Sequence, residues 1–302
     1  MNVSVIDSAS AMRRILDAAP ELREDLVREM WEPMAGMYRF IPGGMDMAAA
    51  HRQNFGFAWE RPSNELRDAA ARLESAQAGT RIADALRRGA DVLEHADPSV
   101  TVPDVTVLLL LGDPANDHFI NEVQGLSGFG GISGYIVITV WPTARVLDRL
   151  EAIAVHELHH NVRYSPGGVV WDPATVTVGE HVVSEGLADA FASELYGDAG
   201  RTHFVDEATR TDDRVLAKVA SGLDVTGMQD FAGWVLGDAT AELFGGAPVG
   251  LPTGAGYAAG ARLFAAYAEA EGVTAAESVR TPATDILLCA LPRLGLEDAR
   301  RG

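Results

Sequence analysis

The residue types with the clearest capacity for chemistry lie in Ala154-Val155-His156-Glu157-Leu158-His159-His160-Asn161. On a helix, positions i and i+4 sit one turn apart on the same face. His156 and His160 can therefore bind one metal ion, with Glu157 between them placed as general base to a water. His156 and His159 are also about one turn apart, but only the His156/His160 register sets Glu157 in that position. Such a spacing arises by accident about once in 70 chains of this kind, so the motif needs a partner elsewhere. A catalytic zinc held by two histidines needs a third protein ligand and keeps its fourth position open. Val183-Ser184-Glu185-Gly186-Leu187-Ala188-Asp189-Ala190-Phe191 supplies a candidate in Glu185. Asp189, four residues on, shares its face and is suited to accept the second ring N–H of a ligand histidine. Glu180 and His181 are rivals for third ligand. Thr177-Val178-Gly179-Glu180 has the spacing of a capping box, which gives Glu180 a task at a helix N-terminus. His181 is one turn before Glu185 and either reaches the same ion or faces solvent.

His-Glu-Leu-His-His followed by Glu-Gly-Leu-Ala-Asp-Ala-Phe resembles the bacterial family described as predicted zinc-dependent proteases, of the gluzincin clan. The apolar stretch Tyr135–Trp141 before the motif and the later Leu251-Pro252-x-Gly-x-Gly256-Tyr257-x-x-Gly260 are similar to that family's pattern. The likeness covers roughly residues 95–290. It implies a zincin-like fold, Zn2+ on His156, His160 and Glu185, and Glu157 as catalytic base. The Glu185/Asp189 spacing is similar to thermolysin-like enzymes, where the aspartate orients a histidine ligand. Hydrolysis by a metal-activated water also needs a donor for the developing oxyanion. Tyr257 is the first candidate, with His203 and Arg262 behind it.

Elements that can position these residues are visible in the patterning. Leu147, Leu150, Ile153, Ala154 and Leu158 form an apolar stripe, which predicts a helix over Ala144–Val162. Further helices are expected over Ser10–Met37 (broken at Pro20), Glu65–Leu93, Val178–Tyr196, Asp206–Ser221, Asp230–Leu243 and Tyr257–Ala270. Asp104–Leu111 and Gly134–Trp141 read as buried strands bounded by turn residues. The glycines of Ser127–Gly131 predict a plain loop, without the lysine or the following helix of a phosphate cradle. The strand at Tyr135–Val140 is expected to offer an open edge to an extended peptide. Few strands early and many helices late give an α+β class, mostly helical with a small sheet before the motif helix. The expected organisation is a helical N-terminal segment over residues 1–95 packed on a catalytic domain over residues 96–302.

Composition narrows the function classes. The 302 residues carry 24 Lys+Arg against 43 Asp+Glu, a formal charge of −19. That field repels phosphate backbones and anionic lipid, so neither nucleic acid nor a membrane is an expected partner. Cys289, the single cysteine, excludes an intrachain disulfide and a cysteine-rich zinc module, and its apolar surroundings predict a buried small side chain. His51, His95 and His118 read as isolated surface histidines. The start of the chain lacks a basic segment followed by a long apolar one, so a cytoplasmic location is expected. The reading is a zinc metallopeptidase acting on a peptide or protein. The alternatives are a zinc hydrolase of a non-peptide amide or ester, and a peptide- or partner-binding protein on the same fold.

Overall fold

The computed structural model describes residues 1–228 and 230–296, which divide into two compact units. One contains Met1–Asp91 and Thr101–Asn161; the other contains Val92–Val100 and the chain from Val162 onward. Together their elements are an α+β set, mostly helical.

The first unit holds a four-stranded mixed sheet of β1 (Val3–Val5), β2 (Val105–Leu111), β3 (Leu126–Phe129) and β4 (Tyr135–Val140), in the order β1-β2-β4-β3. β2 and β4 pair in parallel from Thr106/Tyr135 to Leu111/Val140. Their near-continuous apolar sequences suit central strands covered on both faces. β1 is parallel to β2, whereas β3 runs antiparallel to β4 from Leu126/Val140 to Phe129/Val137. Two expectations change here. Ser127–Phe129 belongs to a strand rather than to a loop, and the Tyr135–Val140 strand is internal, so β3 and not β4 forms that edge of the sheet. β1 is too short, at three residues, to show a period in the sequence.

Helices α1 (Ser8–Asp17), α2 (Pro20–Trp31), α3 (Met47–Gln53), α4 (Asn64–Ser75) and α5 (Ala78–Ala96) precede β2. Pro20 occupies the first turn of α2, where a missing N–H costs nothing. Asp7, Asp46 and Ser63 cap α1, α3 and α4 by accepting backbone N–H groups. After the sheet, the single helix expected over Ala144–Val162 is two: α6 (Ala144–Leu147), capped by Thr143, and α7 (Leu150–Arg163). His51 is also unlike its surface reading. It is fully buried, accepting from Trp31 Nε1 at 3.1 Å and donating to the Phe57 carbonyl at 2.8 Å.

The second unit is built from α8 (Val178–Tyr196), α9 (Glu207–Thr211), α10 (Asp213–Ser221), α11 (Asp238–Leu243), α12 (Ala255–Glu271) and α13 (Ala283–Arg293). α8 and α12 meet backbone to backbone at Gly186 and Gly260: a Cβ on Gly260 would lie 2.9 Å from Gly186 N and 3.1 Å from its Cα. Thr177 caps α8 through Glu180 N at 3.0 Å. Cys289, on α13, is half-buried rather than buried. No described helix is long and apolar enough to cross a membrane.

Candidate metal centre

α7 is pinned near both ends, which fixes the rotation of its histidines. Near its start, Arg81 Nε and Nη2 donate to the two Glu151 carboxylate oxygens, each at 2.6 Å, and Nη2 also donates to the Leu147 carbonyl at 2.8 Å. Towards its end, Asn161 Nδ2 donates to the carbonyls of Gly130 (2.9 Å), Ile132 (3.1 Å) and Tyr135 (2.9 Å), and Asn161 Oδ1 accepts from Gly134 N at 2.8 Å. Between these anchors His156, Glu157, His159, His160 and Asn161 are all buried.

The rings of His156 and His160 bring their Nε2 atoms to 3.1 Å from each other. Two ligand nitrogens on a tetrahedral zinc, with bonds of about 2.0–2.1 Å, stand about 3.3 Å apart. The observed separation is therefore near what one shared ion demands. Each of His156, His160 and Glu185 offers one ligand atom, and these atoms all lie within 4.8 Å of one another, a group that could hold a metal ion. Two imidazoles and a carboxylate are a donor set that suits zinc.

His159, His181 and Glu180 are not members of the group. Glu180 does not return to the helix N-terminus as a full capping box would have it. Its carboxylate takes Arg163 Nε at 2.7 Å and Nη2 at 2.9 Å, and accepts the Tyr164 hydroxyl at 3.1 Å. Burial and the nearby Glu180 charge push the Tyr164 phenol well above its usual pKa. Burial opposes the Arg163 charge, but Glu180 outweighs it and raises that pKa overall. His181 packs against Phe231, with ring centroids 4.4 Å apart, and edge-on to Trp171 at 6.4 Å.

Asp189 has a partner that the sequence did not signal. It accepts Thr202 N at 3.1 Å and Thr202 Oγ1 at 2.7 Å, fixing the segment that carries His203 and Phe204. Phe204 lies edge-to-face with both His203 and Tyr257, each with centroids 5.4 Å apart, so these three rings form one row at the start of α12. Arg262 is separate in its bonding: its Nη2 donates to Asp213 Oδ1 at 2.6 Å. Asn161 and Gly128 also escaped the sequence reading. The one hint was a polar Asn161 directly after the motif, at a position where the helix is buried.

Comparison with known proteins follows the same line. A family model described as Predicted Zn-dependent protease (DUF2268) matches residues 90–288. A Bacillus subtilis (strain 168) protein named Uncharacterized protein YjfC is 28% identical over 300 residues, covering 95% of this chain and 97% of the relative. No solved structure matches the chain. With most of its length matched by that model, the chain belongs to the family of predicted Zn-dependent proteases.

Proposed function

We propose that the protein is a zinc metallopeptidase of zincin-like fold, with His156, His160 and Glu185 as ligands and Glu157 as general base. The observation that carries this reading is the convergence of three ligand atoms within 4.8 Å of one another, with Glu157 adjacent to His156 on the same helix. Bound zinc supplies Lewis acidity, which lowers the pKa of a water and polarises a carbonyl. Glu157 takes the water proton and delivers it to the leaving amine. Asp189 orients a ligand histidine while holding the Thr202 segment. The Tyr257 hydroxyl donates to the developing oxyanion. An extended peptide adds to β3, the edge strand, as a further antiparallel or parallel strand.

Metal content by mass spectrometry, read alongside peptide hydrolysis, tests the assignment. The wild type is expected to carry about one zinc per chain, and Glu185→Ala to lose both metal and turnover. Glu157→Gln is expected to keep the metal and lose about 10²–10⁴-fold in kcat, the usual contribution of a positioned base. Near-wild-type turnover in Glu157→Gln would remove that residue as base. Zinc binding with hydrolysis of small amides or esters only would move the substrate away from peptides.

A further inference from the structure

We propose that Gly128 and Gly130 are positioning residues for Glu157, and that Asn161 locks Gly130 and the loop after β3 against it. The inference rests on reading Glu157 as the base. Neither glycine has a left-handed backbone, unlike Gly125 (φ +75°) and Gly134 (φ +94°) on either side. Conformational freedom therefore does not explain why a side chain is missing at 128 and 130. Space does. A Cβ on Gly128 would run into the Glu157 carboxylate, 2.7 Å from Cδ and 2.8 Å from Cγ. A Cβ on Gly130 would meet the Glu157 main chain, 2.8 Å from its carbonyl carbon, and 2.9 Å from its Cβ. At Gly131, one residue on, a Cβ would make only ordinary contacts of 3.4 and 3.5 Å with the Phe129 ring.

The absence of atoms at two positions thus lets β3 and the following loop lie directly against the base. The four hydrogen bonds of Asn161 span Gly130 to Tyr135 and tie that loop to the helix that carries Glu157. A carboxylate packed against strand backbone has few rotamers left, which is what a general base needs. Misplacing such a group by about 1 Å costs on the order of 10²-fold in rate.

The test compares Gly128→Ala with Gly131→Ala. The atoms met at 128 are the far end of a flexible side chain, so Gly128→Ala is expected to fold with its carboxylate displaced. Crystal structures of both metal-free variants should show Glu157 moved in Gly128→Ala and unmoved in Gly131→Ala. Kinetics should show kcat down at least tenfold in Gly128→Ala, with zinc content and KM unchanged, and no change in Gly131→Ala. An unmoved carboxylate in Gly128→Ala overturns the proposal whatever the activity. A displaced carboxylate in a protein whose wild type hydrolyses nothing supports the positioning and sinks the peptidase reading instead. If Gly128→Ala does not fold alone, Glu157→Ala is added, which removes the atoms that the new methyl meets. Recovery of folding supports the proposal, and failure to recover overturns it.

Discussion

Arg163 illustrates how a single side chain can hold distant segments. Its guanidinium is fully buried and uses its donors on both Glu180 oxygens and on the carbonyls of Val279 (3.1 Å) and Thr281 (2.9 Å). Tyr164 adds a hydroxyl to the same carboxylate. Removing one partner strands a buried charge, which costs about 3–5 kcal/mol, whereas replacing both by apolar groups is far milder. Arg163→Met should therefore lower the urea midpoint by the equivalent of about 3–5 kcal/mol, and adding Glu180→Leu should recover only part of it, because the Val279 and Thr281 carbonyls and the Tyr164 hydroxyl still lose these partners. The sequence exposed the Thr177–Glu180 spacing because capping is local. It did not expose Arg163 as the partner, since nothing local links the two residues.

The helices and strands were legible to different degrees. α8 matches its expected bounds: a Thr cap marks its start, and Val183, Leu187, Phe191 and Leu195 recur every four residues along it. β3 was missed: two of its four residues are Ser and Gly, which argue against a strand, and pairing with β4 overrides that preference. The backbone contact of α8 with α12 likewise has no local signature, though it fixes the residue next to Glu185. A Cβ on Gly186 would lie 2.8 Å from Gly260 Cα, and backbone on both sides cannot yield cheaply. Gly186→Ala is expected to cost about 2–3 kcal/mol or prevent folding, read from urea unfolding followed by circular dichroism. An unchanged midpoint would mean that the crossing is looser than its geometry.

For the molecule as a whole, one buried group links stability to pH. His51 sits among Phe57 and Trp59 rings with centroids at 5.0 and 5.4 Å, and burial pushes its pKa down to about 4. The unfolded chain holds a proton on this ring below about 6.5, while the folded protein does not until about 4. Folding stability contributed by His51 is thus complete above pH 6.5 and falls by about 3 kcal/mol on acidification to pH 4. Urea unfolding of wild type and His51→Gln between pH 7.5 and 4.5 tests this. The wild type should weaken steeply across that window, and the variant, less stable at neutral pH, should weaken less. Parallel curves would assign the pH dependence to other groups.

The sequence by itself determined what depends on near neighbours. Helical periodicity sets His156 and His160 one turn apart with Glu157 between them, and marks the helix of Glu185 and Asp189. It also marks β2 and β4, whose apolar runs have few other uses. What only the tertiary structure decided depends on residues far apart in the chain. Gly128 clears room for Glu157, Asn161 holds the loop after β3, Thr202 occupies Asp189, and β3 takes the edge assigned in the sequence to β4. Local patterning reports a residue's own conformational preference and the face it buries. Which distant backbone comes to rest against that face is set by close packing of the whole chain, where a missing methyl matters as much as a side chain.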